Sequence, residues 1–228
     1  MKEESTGKLN LRYYRKSEFF CWLCDSEFER LLEKVRYRAY QEGQVLFEEG
    51  DNPQVFFLLE GLVRMEREDA TGEYVMYEYV KGGQLFPLSV LMNKGNEYVY
   101  LAKARTNIRM LVFPLRLFLD ILDGNQEYLH FLAKEMGLML EKRESIIQHI
   151  LHPNAKRRVV ETLKYLRDHL GEKQGKYIYK IPYPITIREI SVLSASSTET
   201  VRQVLQGLEK KELLEYQKKQ FIFQKKLN

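Results

Sequence analysis

Apolar positions from Gln126 to Leu151 recur at alternating steps of three and four: Leu129, Leu132, Met136, Met139, Arg143, Ile146 and Ile150. That spacing is a heptad seam, and only Gly137 interrupts it. A helix of that length is roughly 39 Å long, more than one small domain needs for its own core. The seam therefore predicts pairing with a second copy across a two-fold axis, with Arg143 among charged neighbours on it. A second stripe, Tyr128, Phe131 and Leu138, lets another face of the same helix rest on its own domain.

The pattern is different on either side. Phe19, Phe20, Trp22 and Leu23 form an apolar plug after a polar start, and residues 1–17 carry no periodic signal. Ser26 with Glu29 three residues later predicts a capping box for a short helix ending near Lys34, with Phe28, Leu31, Leu32 and Val35 on one face. From Arg36 to Phe118 short runs alternate with turn signals. The runs are Val45–Phe47, Val55–Leu59, Leu62–Glu66, Tyr74–Tyr79, Tyr98–Leu101 and Arg109–Phe113. Glycines at Gly43, Gly50, Gly61, Gly72, Gly82, Gly83 and the Lys94-Gly95 pair separate them, as an antiparallel sandwich or barrel requires. Leu115–Leu122 reads as a short helix, and Asp123-Gly124-Asn125 offers caps for the long one. His152-Pro153-Asn154 closes the long helix and marks a hinge. Three parts follow: residues 1–122 as N-terminal helix and β-roll, 123–153 as dimerisation helix and hinge, and 154–228 as a C-terminal domain.

Charge sharpens this division. Residues 154–228 hold 16 lysines and arginines against 8 acidic residues, while residues 1–153 hold 20 against 24, so a net of +8 and a net of −4 make up the overall +4. A basic tail domain on a neutral-to-acidic body points to a polyanionic partner at that end. The chain has 228 residues and no apolar run near 18, and its polar start reads as neither signal peptide nor membrane span; a cytoplasmic location is expected. Two cysteines make no disulfide framework.

Within the basic part, Val159, Val160, Leu163, Leu166 and Leu170 predict a helix ending near Gly171, and Tyr177, Tyr179 and Ile181 a strand. Thr186 caps a helix carrying Ile190 and Leu193, and Ala195-Ser196-Ser197 turns the chain into a second helix. On that helix Val201, Val204, Leu205 and Leu208 face inward, leaving Ser197, Thr198, Glu199, Arg202 and Gln203 outward. Tyr216, the tip Gln217-Lys218-Lys219-Gln220 and Phe221-Ile222-Phe223 read as a β-hairpin. Two helices, a tight turn and a hairpin make a winged helix-turn-helix. Arginine, glutamine and glutamate on the exposed face suit guanine, adenine and cytosine edges in double-stranded DNA. Thr186, Lys218 and Lys219 suit phosphate.

Ile185-Thr186-Ile187-Arg188-Glu189-Ile190, Ser197-Thr198-Glu199-Thr200-Val201 and Leu208-Glu209 resemble the DNA-binding domain of the CRP/FNR superfamily of bacterial transcription regulators. Gly43-Gln44-Val45-Leu46-Phe47, Gly50-Asp51, Gly61 and Gly72 are similar to that family's β-roll turns. The resemblance covers nearly the whole chain and implies an α+β fold: antiparallel β-roll or jelly roll, long dimerisation helix and winged helix-turn-helix. It implies an effector-controlled, homodimeric DNA-binding regulator with RNA polymerase as a partner, not an enzyme. Two positions depart: Ala195 stands for the turn glycine, and Arg202-Gln203 for the family's usual recognition-helix pair.

Cyclic-nucleotide-binding relatives carry a Gly-Glu-Leu turn for ribose and an Arg-Ser pair for phosphate. The matching positions here are Phe86-Pro87-Leu88-Ser89 and Tyr98-Val99, with Arg143-Glu144 at the helix positions that meet the purine. Leucine and tyrosine cannot neutralise a phosphate diester, and proline removes a donor, so cyclic AMP is not the expected effector. Either an apolar or aromatic effector sits among Phe86, Leu88, Tyr98, Val99 and Tyr100, with Arg143 and Glu144 nearby, or side chains fill the region. No cofactor or metal is expected: Cys21 and Cys24 supply two thiolates where a cluster or zinc site takes four ligands. The cysteines read as part of an apolar anchor with Phe20 and Leu23, with redox sensing the alternative. A cupin-type metal enzyme fails because no histidine precedes His130.

Overall fold

The computed structural model describes residues 2–72, 74–92, 95–225 and 227, the first four of them by backbone alone. Lys94 of the anticipated turn lies outside the described residues. Two compact units result, one of residues 1–67 with 78–139, the other of residues 68–77 with 140–228.

The first unit begins with α1 (Lys2–Tyr13) and α2 (Asp25–Lys34), then strands β1 (Arg36–Tyr40), β2 (Val45–Phe47), β3 (Gln54–Glu60), β4 (Leu62–Glu68), β5 (Val75–Lys81) and β6 (Leu85–Phe86). A short α3 (Ser89–Met92), β7 (Leu101–Ala104), β8 (Ile108–Pro114) and α4 (Leu115–Gly124) lead into α5 (Gln126–Ile150). The strands form two four-stranded sheets, ordered β1-β8-β3-β6 and β2-β7-β4-β5. This is the expected β-roll. Phe57 of β3 is fully buried and meets Tyr14, Phe19 and Phe20 edge-on at centroid distances of 4.9, 6.3 and 5.0 Å. The apolar plug is thus built into the roll's core, each such ring stabilising the fold by about 1.5–3 kcal/mol through burial.

Several boundaries differ from the sequence pattern. Residues 2–13 are helical although they show no periodicity; Leu11 is buried, so a single anchor suffices there. The cap of α2 is Cys24, not Ser26: the Cys24 N–H donates to Glu27 Oε2 at 2.7 Å. Strand β1 escaped detection because Arg36-Tyr37-Arg38-Ala39-Tyr40 is an edge strand with no buried residue, and β6 is two residues long. The strand expected at Tyr98–Leu101 begins only at Leu101, because the Tyr98 hydroxyl is tied to the Gln54 backbone.

The turn glycines behave as the pattern requires. Gly43, Gly50, Gly61, Gly72 and Gly83 all have positive φ, between 71° and 90°. Gly61 has a second reason: a Cβ there would lie 2.6 Å from Asn107 O and 2.7 Å from Thr106 Oγ1, whereas one on Gly72 would meet nothing within 4 Å.

The second unit contains α6 (Ala155–Leu170), β9 (Glu172–Lys173), β10 (Tyr179–Ile181), α7 (Ile187–Leu193), α8 (Thr198–Lys210), β11 (Leu214–Gln217) and β12 (Gln220–Phe223). Its sheet runs β11-β12-β10-β9, and α6, α7 and α8 pack around Val159, Leu163, Leu166, Ile190, Val201 and Leu205. That is a winged helix-turn-helix, and α8 begins where the sequence placed its second helix.

Gly61→Ala should therefore cost about 1–3 kcal/mol for its left-handed backbone, plus the displacement of the Asn107 carbonyl. Gly72→Ala should cost only the backbone part. Equal midpoint shifts for both variants in urea would contradict the close approach at Gly61.

Candidate nucleic-acid interface

Three caps and one arginine fix the helix-turn-helix. Asn154 caps α6 through Oδ1, which accepts from Arg157 N at 3.2 Å. Thr186 and Glu189 make a full capping box on α7: Thr186 N and Oγ1 both donate to Glu189 Oε2 at 2.8 Å, and Glu189 N donates to Thr186 Oγ1 at 3.1 Å. The Thr186 hydroxyl, expected at phosphate, donates here to the buried Glu189 carboxylate. Ser197 caps α8, accepting from Thr200 N at 3.1 Å, and remains exposed.

Arg158, on α6, was not anticipated. Its guanidinium donates to Ser194 O (3.0 Å), Ala195 O (2.7 Å) and His152 O (2.8 Å), holding the turn between α7 and α8 from behind. Carbonyls at a helix C-terminus lack internal partners, and a charged planar donor satisfies several together. In sequence, Arg158 is one of many exposed-looking basic residues. Ala195 occupies the left-handed region at φ 45°, so the residue standing for a glycine adopts a glycine's backbone.

On α8, Val201, Val204 and Leu205 are buried and Leu208 half-buried. Glu199, Arg202 and Gln203 are exposed side by side and Thr198 is half-buried. Gln203 Nε2 donates to Glu199 Oε1 at 3.2 Å, and Arg202 Nη1 lies 3.9 Å from Glu199 Oε2. Glu199 thus orients both groups in advance of any partner. The wing is a two-residue hairpin in which Gln217 pairs with Gln220, and Lys218 and Lys219 have φ of 50° and 65°. Two consecutive positive φ angles define a type I′ turn, normally Asn-Gly. Lysine there is strained and also presents its ammonium groups to solvent. Lys219 O accepts from Ile185 N at 2.8 Å, and Tyr216 OH donates to Ile185 O at 3.0 Å, which pins the wing beside the start of α7.

The seam on α5 is rotated from its expected position. Leu132 is only 1% exposed and joins Tyr128 and Phe131 in the roll's core, while Met139 packs partly against it. Leu138, expected inward, is 41% exposed. Along Leu129, Ala133, Met136, Leu140, Arg143 and Ile147, spaced in steps of four and three, Leu129, Ala133, Leu140 and Ile147 are exposed, whereas Met136 packs partly against the core and Arg143, Ile146 and Ile150 are half-buried. The physical reason is that Tyr128 and Phe131 claim one face, and Leu132 lies on that face's flank.

The anticipated effector residues form core. Phe86, Leu88, Tyr98 and Tyr100 are 2–4% exposed, and Val99 is half-buried. Tyr98 stacks on Phe47 at 4.0 Å, Phe47 on Phe56 at 5.3 Å, and Phe56 lies 5.4 Å from Phe86. The Tyr98 hydroxyl accepts from Gln54 N at 2.6 Å and donates to Gln54 O at 3.0 Å; burial holds its ionisation well above the ordinary tyrosine range. A pocket of about 380 Å³ opens elsewhere in this unit, lined by Arg36, Gln54, Pro114, Arg116 and Leu119 among others, and none of the anticipated residues borders it. Arg143 and Glu144 lie on α5 beyond Met139, in the second unit.

Residues 37–125 match the cyclic nucleotide-binding domain family. The HTH-type transcriptional regulator ArcR of Staphylococcus aureus is 25% identical over 191 residues, 83% of this chain and 80% of that one. The cAMP-activated global transcriptional regulator CRP of Haemophilus influenzae is 22% identical over 167 residues, 72% of each. The structure of FixK2 from Bradyrhizobium japonicum superimposes with a TM-score of 0.71 at 16% identity, covering 83% of this chain and 92% of that one. This chain belongs to the CRP/FNR superfamily.

Within the matched domain the rings of Phe47, Phe56, Phe86 and Tyr98 stack on one another in the interior of the roll. Among the described residues no helix is long and apolar enough to cross a membrane, and no group of three or more histidine, cysteine or acidic side chains could hold a metal.

Replacing the wing tip by the residues its turn prefers, Lys218→Asn with Lys219→Gly, should raise stability by about 1–2 kcal/mol. Unchanged or lower stability in urea titration would show that the lysines carry no backbone strain.

Proposed function

We propose that this CRP/FNR chain is a transcription regulator that binds double-stranded DNA as a homodimer and does so without a cyclic nucleotide. One observation carries the reading: α8 presents Glu199, Arg202 and Gln203 as a preformed polar set beside a wing tipped by Lys218 and Lys219. Arg202 and Gln203 have the donors that read guanine and adenine edges in the major groove, with Ser197 and Thr198 at the helix start near the backbone. The wing lysines neutralise phosphate irrespective of sequence. Pairing along Leu129, Met136, Leu140 and Ile147 would place two α8 helices in successive major grooves about 34 Å apart on a near-palindromic site. The stacked Phe47, Tyr98, Phe56 and Phe86 and the saturated Tyr98 hydroxyl offer a cyclic phosphate neither space nor a cation, which supports a regulator whose occupancy of DNA follows its own concentration.

Operator selection on the purified protein supplies the cognate duplex. Arg202→Ala should then weaken cognate binding by about 5- to 150-fold and relax preference at one base position, since a bidentate base contact contributes about 1–3 kcal/mol. Lys219→Ala should weaken cognate and random duplex alike and reduce the salt slope by about one. Equal losses on both duplexes for Arg202→Ala would remove it from the reading set.

For the dimer, Leu140→Glu should leave a folded monomer in sedimentation at micromolar concentration, because a buried unpaired carboxylate on each copy opposes association. A dimer of undiminished affinity would place the interface elsewhere.

A further inference from the structure

Three neighbouring strands of the roll end at the same place, and a cavity of about 380 Å³ opens there. Arg36 opens β1, Gln54 opens β3, and Pro114 closes β8 between them. The register puts Arg36 opposite Val112 and Gln54 opposite Pro114, so one end of a paired sheet fixes all three positions. Gln54 is held further by Tyr98, whose hydroxyl bonds both its N–H and its carbonyl. From Pro114 the chain enters α4, where Leu115, Arg116 and Leu119 complete the wall. Leu115 and Leu119 are one turn apart and share a face. The walls are therefore preformed by strand pairing and by a helix, and the volume is that of a small-molecule site.

Its chemistry is one-sided. The cavity is bordered by Arg36 and Arg116 and by no acidic residue, in a part of the chain whose net charge is negative. Arg36 is exposed, and among the described residues nothing hydrogen-bonds or ion-pairs with its side chain. The same holds for the side-chain amides of Asn52 and Gln54. Arg116 pairs with Asp120 one turn on, at 2.9 Å, but the two side chains are 81% and 37% exposed. Such pairs contribute little and exchange readily. Asp120 also has Arg30 at 3.8 Å, so it is not stranded when Arg116 turns away. Two guanidiniums without a fixed carboxylate are matched by an oxyanion, which arginine meets through paired N–H donors. Pro53, Pro114, Leu115 and Leu119 make the rest of the lining apolar, and a bare inorganic ion would leave that surface unused.

We propose that this cavity binds a small amphipathic carboxylate: its anionic group between Arg36 and Arg116, its hydrocarbon part against Pro53, Pro114 and Leu119, with the Gln54 amide for a further polar group. Neither arginine suffices alone, because each is exposed and its attraction is weakened by solvent and salt; together they hold one carboxylate from two separate elements. Occupancy ties the start of β1 to the first turn of α4 and so stabilises the roll by mass action. The site belongs to the first unit alone and is independent of the dimer and DNA readings above. It is also distinct from the ring-filled interior, since none of Phe47, Phe56, Phe86 and Tyr98 borders the cavity.

The test uses the full-length chain and sodium hexanoate, with acetate, 1-hexanol and inorganic phosphate as comparisons, read by calorimetry and by amide chemical shifts. Hexanoate should bind saturably, raise the melting temperature, and shift amides around Arg36, Gln54 and Arg116. Acetate should bind several-fold more weakly for want of apolar contact, and 1-hexanol several-fold more weakly for want of charge. Arg36→Gln and Arg116→Gln should each weaken hexanoate several-fold. Their ligand-free melting temperatures should stay at the wild-type value, because both side chains are exposed. Asp120→Asn should strengthen hexanoate binding several-fold, because it releases Arg116 from its partner. A purely structural role for these side chains predicts no such gain. Absence of saturable binding, phosphate or 1-hexanol binding as tightly as hexanoate, or wild-type affinity in the arginine variants or in Asp120→Asn would overturn the proposal.

Discussion

One helix carries two obligations, and most of the architecture follows from how α5 divides them. Its first turns must bury Tyr128, Phe131 and Leu132 in the β-roll, so those positions fix the rotation of the whole rod. Once that rotation is set, Leu129, Leu140 and Ile147 are left exposed along the helix, with Met136 between them packed partly against the core. Exposed apolar positions on one helix face are commonly covered by a partner, and in the dimer proposed above a second α5 would cover them. The same rotation decides what touches the helix start, where Asn125 and Phe131 meet the loop around Trp22.

The DNA-facing unit shows another division, between what is held rigid and what is left exposed. Arg158 satisfies three carbonyls behind the turn, and the Thr186–Glu189 box satisfies the start of α7, so neither helix end frays. Against that frame sit unfavourable backbone angles at Ala195, Lys218 and Lys219. Strain of this sort persists where the surrounding structure over-determines it, as around functional surfaces.

Sequence pattern revealed the fold well and the side-chain bonding poorly. The glycine turns, the helices α2, α4 to α8 and the wing hairpin were legible because periodicity and punctuation are local properties. Strand β1 was not, since it is defined by pairing with β8 and buries none of its own residues. The seam is only partly legible, because a heptad count cannot tell which of two apolar stripes the chain will claim for itself. Leu132 shows this most directly: apolar, correctly spaced and committed to the core. Thr186 was assigned outward because a capping threonine and a phosphate-binding threonine look alike in sequence; the direction of one hydroxyl proton separates them. The role of Arg158 lay beyond sequence altogether, being defined by carbonyl partners that meet it only in three dimensions.

The ring stack at Phe47, Phe56, Phe86 and Tyr98 has an evolutionary consequence. Reshaping this interior would take more than a single substitution, since each ring supports its neighbour and removing one leaves a void that the others cannot fill. Several simultaneous exchanges would be needed, each destabilising until the last was in place. A lineage with this packing is held on its present core, because each intermediate toward another one carries a void.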